Sequence, residues 1–270
     1  MFSTLAAIAF PTIDPVLIQI GPLAIRWYAL AYIAGILIGW RLVVSMADAP
    51  GSLVTRRDVD DFMLWATIGV VLGGRLGYVL LYRPGHYLQN PMEALAMWHG
   101  GMSFHGGMIG VVAALYLFSH FRKLPQYALH DLVAVVTPIG LFFGRIANFI
   151  NGELWGRVSD VPWAMVFPNG GPEPRHPSQL YQAALEGLIL FAVLWFLRKR
   201  VAPAYGPGFL SGSFLVGYAI ARMIGELFRQ PDWFLGFLPG GTTMGQLLSV
   251  PMAAFGIYLI WRSAQVKQPA

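Results

Sequence analysis

Seven stretches of mostly apolar residues, near 20–42, 62–82, 103–120, 130–150, 176–197, 208–228 and 243–262, alternate along the chain with shorter segments that hold most of its charge. An α-helix rises about 1.5 Å per residue, so about 20 residues cross the roughly 30 Å hydrocarbon layer of a bilayer. Each stretch therefore predicts a transmembrane helix. The first twenty residues contain no Lys or Arg, and Pro11 and Pro15 interrupt their apolar run. They lack the basic region that opens a cleavable signal peptide and read as an interfacial lead-in.

Composition turns this pattern into a fold class. Of 270 residues, 56% are hydrophobic and 11% charged, and the mean hydropathy is +0.58. A soluble chain carries roughly 25% charged residues to cover its surface, so a water-soluble enzyme is excluded. The expectation is an all-α integral membrane protein, one polytopic domain over residues 1–270, with residues 151–175 as an extracytoplasmic cap between the fourth and fifth spans.

The charge distribution orients it. Arg41, Arg56, Arg57, Arg122, Lys123, Arg198, Lys199, Arg200, Arg262 and Lys267 follow the first, third, fifth and seventh spans, which marks those ends as cytoplasmic. An odd number of spans then puts the N-terminus outside and the C-terminus inside. The net charge of +5 follows from these loops, and no nucleic-acid partner is expected. The absence of cysteine removes disulfides, thiolate metal sites and an enzyme-borne thiol nucleophile, so any sulfur in the chemistry belongs to the substrate. The six histidines, His86, His99, His105, His120, His130 and His176, show no metal-ligand spacing; neither a metal nor another cofactor is expected.

The candidate chemistry lies within the spans and the outward loops. Tyr218, Arg222 and Glu226 recur every four residues along the sixth span and share a helix face, and Arg145 and Asn148 share one near the outer end of the fourth. A lone intramembrane Arg also reads as a snorkelling or ion-paired residue that fixes helix packing, but two at matching depth point to a functional site. His105 opens the third span among Gly100, Gly101, Gly106 and Gly107, where a ligand or a neighbouring helix can approach closely. The alternative for His105 is a hydrogen-bonded structural residue. Tyr28, Glu153 and His176 fall at the same outward side. GGRLGY at 73–78 echoes FGRIAN at 143–148, which makes Arg75 either a third charge near the site or part of a shared packing solution.

The segment GRIANFINGELWGR at 144–157 resembles the signature of the bacterial prolipoprotein diacylglyceryl transferases. IRWYALAY at 25–32, SFHGGMIG at 103–110, HPSQLYQ at 176–182 and YAIARMIGELFRQPD at 218–232 extend the likeness along almost the whole chain. Gln182 departs from it, standing where the family pattern has an acidic residue. The resemblance implies transfer of the diacylglyceryl group of phosphatidylglycerol to the lipobox cysteine of a preprolipoprotein at the bacterial inner membrane, giving a thioether and glycerol 1-phosphate. It implies catalytic roles for His105, Arg145, Arg222 and Glu226. Phosphatidylglycerol contacts are implied for Arg145, Arg222, Asn148, Glu153, Tyr28, Tyr218, His176 and Gly156. The residue types suit that chemistry, because guanidinium forks bind phosphate oxygens in pairs and an imidazole can take a thiol proton. Glu226 or Glu153 is the alternative base. A transporter or flippase for an anionic lipid is the competing reading, expected to show repeated halves and a midplane site. A structural assembly factor would leave the polar cluster without a purpose.

Overall fold

The computed structural model describes residues 8–21, 23–96, 100–231 and 236–266. His99, Asp232 and Lys267, named above, lie outside those ranges. Seven long helices match the seven apolar stretches: α1 Trp27–Ala47, α2 Arg56–Leu81, α3 Phe104–Phe121, α4 Ala128–Ile150, α5 Ser178–Arg200, α6 Phe209–Glu226 and α7 Met244–Gln265. All but α6 are long and apolar enough to cross a membrane; α6 is 18 residues long and carries Arg222 and Glu226. Large apolar side chains such as Ile36, Leu64, Ile109, Val193, Ile220 and Ile257 stay exposed on these helices, as expected where the surrounding solvent is lipid. The chain is a multi-pass membrane protein.

One expectation needs correction at the first span. The described residues before Trp27 are not helical: β2 (Val16–Ile20) and β3 (Leu23–Arg26) pair as an antiparallel hairpin, and α1 begins only at Trp27. Gly21, with φ +57°, makes the turn, so an apolar run long enough to read as helix is divided by a local reversal. At the second span the helix instead starts earlier than the apolar pattern, because Thr55 and Asp58 form a capping box ahead of it.

The described chain forms two compact units, Val43–Leu132 and the remainder, Met1–Leu42 with Val133–Ala270. In the 43–132 unit α2 and α3 pack along a glycine seam. A Cβ on Gly69 would come 2.6 Å from the Gly110 carbonyl oxygen, and one on Gly73 would come 2.8 Å from Gly110 Cα. Small residues let two helix backbones meet this closely. At the far end of the pair Arg122 Nη2 contacts both Asp58 Oδ1 and Asp61 Oδ2 at 3.0 Å.

In the other unit, the segment between α4 and α5 is tied down by short pairings. β4 (Met165–Val166) runs parallel to β1 (Ile8–Ala9), and Phe10 packs its ring against Phe149 and Phe167. Gly156 bridges to Arg229, and Val158 to Arg175.

Candidate active site

Five charged side chains from three helices and the α6 C-terminal end meet inside the larger unit. Arg145 on α4 donates from Nε and Nη2 to Glu186 Oε2, at 2.9 and 2.8 Å. Arg222 on α6 places Nη1 3.7 Å from Glu186 Oε1 and Nη2 2.6 Å from Glu226 Oε1. Arg229 Nη1 lies 3.6 Å from the same Glu226 oxygen. Glu186 is wholly buried and Glu226 nearly so, where an unpaired charge would be strongly disfavoured. Each carboxylate therefore serves two guanidiniums.

Arg145 and Asn148 both lie on α4, and Tyr218, Arg222 and Glu226 on α6. Tyr28 and Tyr218 both lie within electrostatic reach of Arg145. Asn148, also buried, donates from Nδ2 to Glu153 Oε1 at 2.8 Å. The Glu153 carboxylate stays exposed while its carbonyl accepts from Gln179 Nε2. Arg157 turns its guanidinium onto the carbonyls of Glu226 and Arg229, at 2.9 and 3.1 Å, closing the C-terminal end of α6. The first turn of α7 presses on the ion pairs, for a Cβ on Gly245 would come 2.8 Å from Glu226 Cδ and 3.1 Å from Arg222 Nε. The recess lined by Arg222, Glu226, Arg229, Thr243 and Met244 has a volume of about 30 Å³.

His176 lies in the same unit, its Nδ1 3.2 Å from the Tyr181 hydroxyl, which also accepts from Trp163 Nε1. Burial, and then the Arg157 charge, pull its pKa below the ordinary histidine value, so the ring is neutral at neutral pH. Gly156 is enclosed: an added Cβ would meet the His176 and Phe228 carbonyl oxygens at 2.6 Å. Its want of a side chain serves the packing of this segment.

His105 belongs to the 43–132 unit, in the first turn of α3. Ser103 caps that turn, accepting from the Gly106 amide. The imidazole is exposed, its ring edge-on to Phe104. The flanking glycines divide: Gly106 packs on the α2 backbone, so here the neighbouring helix, not a ligand, occupies the space.

Arg75, in the same unit, is absorbed into structure. Nε donates to Ala94 O, Nη1 to Gly100 O and Gly101 O, and Nη2 to Glu93 O and Ala96 O, at 2.6–3.2 Å. A guanidinium has five N–H donors, and all are engaged, leaving none for phosphate. Its likeness to Arg145 ends at the helix backbone.

Glu186 was absent from the candidates drawn from sequence. The signal was available: it is the only charged residue between positions 178 and 197, and an ionisable residue inside a span is a functional candidate by default. It sits on the π-helical turn Ala183–Ile189 that interrupts α5, a feature often found at functional sites. Among the described residues no three His, Asp or Glu side chains group as a metal site would need.

A multi-pass membrane protein that buries paired guanidiniums and carboxylates among its helices is of the class whose intramembrane charge points to a functional site. Comparison with known proteins makes this specific. Residues 15–262 match the family model described as prolipoprotein diacylglyceryl transferase. The chain is 58% identical over 258 residues to the phosphatidylglycerol–prolipoprotein diacylglyceryl transferase of Gluconacetobacter diazotrophicus, covering 95% of this chain and 92% of that one. It is 58% identical over 255 residues to the enzyme of that name from Paramagnetospirillum magneticum, covering 94% and 95%, and 54% identical over 271 residues to that of Rhodospirillum centenum, covering 98% of each. The chain belongs to the prolipoprotein diacylglyceryl transferase family and is a transferase, which sets aside the transporter, flippase and assembly-factor readings.

Proposed function

We propose that this protein transfers the diacylglyceryl group of phosphatidylglycerol to the thiol of the lipobox cysteine of a preprolipoprotein signal peptide, the first step of lipoprotein maturation. The observation that carries this reading is the buried arrangement of Arg145 and Arg222 about Glu186, in a chain whose curated relatives are named for those two substrates. The cysteine sulfur attacks the glycerol carbon that bears the phosphate. A sulfur–carbon bond forms, the carbon–oxygen bond breaks, and the electron pair leaves with the phosphate as glycerol 1-phosphate. The thiol proton passes to a base.

Arg145 and Arg222 meet the negative charge that gathers on the departing phosphate, in surroundings where fixed charge stabilises it more than water would. Asn148, Glu153, Tyr28, Tyr218, His176 and Gly156 belong to the headgroup site, and Glu226 orients Arg222. His105 is the base: a thiol with a reference pKa of about 8.5 is mostly protonated at neutral pH. The protein acts as one polytopic domain in the bacterial inner membrane, with the N-terminus and the 151–175 cap outside and the C-terminus in the cytoplasm. The basic loops support this orientation, and a reporter fused after Arg262 that reads as extracytoplasmic would overturn it.

The activity is tested by incubating purified protein with phosphatidylglycerol and a lipobox peptide. Mass spectrometry is expected to show the peptide gaining a thioether-linked diacylglyceryl group, with release of glycerol 1-phosphate. Unmodified peptide, under conditions where the lipid is bound, would sink the reading.

A further inference from the structure

Resting on that reading, we propose that Gln182 reads the glycerol headgroup of the lipid, its carboxamide pairing with the headgroup hydroxyls and so selecting a polyol over other phospholipid headgroups. Gln182 is wholly buried, and neither Oε1 nor Nε2 has a hydrogen-bond partner among the described residues. A buried amide without partners costs free energy at both ends, whereas an apolar side chain of the same length would fill the space without that cost. Gln179, three residues earlier and equally buried, shows the structural use of such a side chain: its Nε2 donates to the Glu153 carbonyl, and Oε1 alone is unpaired. Gln182 has no such tie to the fold.

Its position suits the headgroup end of the site. Gln182 lies four residues before Glu186 on α5, about 6 Å along a helix axis, and Glu186 faces Arg145 and Arg222, the guanidiniums assigned to the phosphate. Across from α5 it meets α6 at Gly225, where an added Cβ would come 3.2 Å from Gln182 Cγ and 3.4 Å from Nε2. The want of a side chain there lets the carboxamide lie against the α6 backbone, one residue from Glu226. In the orientation given above α5 runs inward from the outer face, so Gln182 stands outward of the arginines. In a lipid of the outer leaflet the headgroup alcohol likewise stands outward of its phosphate.

The chemistry of the carboxamide selects the headgroup. It offers two N–H donors and an acceptor oxygen. A hydroxyl both donates and accepts, so the two neighbouring hydroxyls of glycerol can engage Oε1 and Nε2 together. An ammonium headgroup has donors alone and leaves Nε2 without an acceptor, and an alkyl headgroup leaves both atoms unpaired. A site that hydrogen-bonds a substrate hydroxyl discriminates against the analogue lacking it far better than an apolar pocket discriminates by size.

The test compares phosphatidylglycerol with phosphatidylpropanol, whose headgroup keeps the three carbons and lacks both hydroxyls, in wild type and in Gln182→Met, which keeps the length and removes the amide. Turnover of each lipid with the lipobox peptide, normalised to folded protein, gives kcat/KM, and displacement of labelled phosphatidylglycerol gives the affinity of a lipid that is not turned over. Wild type should favour phosphatidylglycerol, and Gln182→Met should erase about tenfold to a hundredfold of that preference, with the loss falling on phosphatidylglycerol alone. Thermal unfolding gives a readout of opposite sign to a structural role, because replacing an unpaired buried amide by an apolar group should leave Tm equal or higher. A wild type indifferent to the hydroxyls, a variant that weakens both lipids equally, or a lowered Tm would each overturn the proposal and leave Gln182 to packing or to a buried water. Gln182→Leu repeats the measurement if Gln182→Met accumulates poorly, and failure of both to fold would equally assign the residue to structure. Wild-type protein that forms no thioether product from phosphatidylglycerol would instead defeat the proposed activity, an outcome told apart from these because displacement still reads lipid selectivity.

Discussion

Arg75 and Arg145 occupy nearly the same local sequence, GGRLGY and FGRIAN, on two apolar helices, yet the two units of the molecule use them in opposite ways. Arg75 gives every donor to backbone carbonyls between Glu93 and Gly101 and so pins the connection between α2 and α3. Carbonyls in a folded loop are permanent partners. Arg145 gives two donors to one carboxylate, a partner of the same charge type as a phosphate and open to competition from one. A guanidinium buried against fixed dipoles is a structural clamp, whereas one balanced against a shared carboxylate can exchange partners. The motif cannot distinguish these uses, because the difference lies wholly in what faces the fork.

The largest expected effect concerns His105, the one functional candidate of the unit whose other features are structural. If it is the base, His105→Gln slows the chemical step by ~10²–10⁴ while phosphatidylglycerol binding persists. The defect should shrink as the pH is raised from 6.5 to 9, because a thiol with a reference pKa of about 8.5 then ionises unaided. Turnover at saturating lipid, normalised to folded protein, checks this. A defect that stays constant over that range would remove His105 as base and turn the test to Glu226 or Glu153.

The arginine pair breaks or upholds the comparison directly. Arg145→Lys keeps the charge but loses the planar fork, and turnover should fall by ~10²–10³, the usual cost of losing a donor aimed at developing charge. Arg75→Lys should instead lower the yield and Tm of folded protein, since each charge-assisted hydrogen bond lost is worth about 1.5–3 kcal/mol. Its turnover per folded molecule should remain near wild type. Equal losses of turnover in the two variants would show that Arg75 also serves the chemistry.

A smaller effect comes from one methyl group placed in each unit. At Gly110 an added Cβ meets the α2 backbone, which cannot yield without parting the helices, so Gly110→Ala should destabilise the protein by about 1–3 kcal/mol. At Gly245 it meets the mobile ends of Glu226 and Arg222, which can shift. Gly245→Ala should therefore fold normally and lose turnover. Thermal unfolding measured beside activity separates them, and loss of stability in Gly245→Ala with unchanged activity per folded molecule would contradict the site geometry.

The seven spans, the polar faces of α4 and α6, and the family were legible in the sequence, because apolar periodicity and short ordered motifs are local properties that survive without a partner. The start of α1 was not, since hydropathy alone cannot separate the Val16–Arg26 hairpin from the helix that follows it. The partner of Arg145 is 41 positions away, on α5, and those of Arg75 are backbone carbonyls, which no side-chain pattern marks. Gly106 and Gly110 advertise close approach but do not name what approaches. Each of these depends on which side chain or backbone group stands opposite across helices or loops, and only packing decides that, because burial obliges every charge and close contact to find its complement in three dimensions.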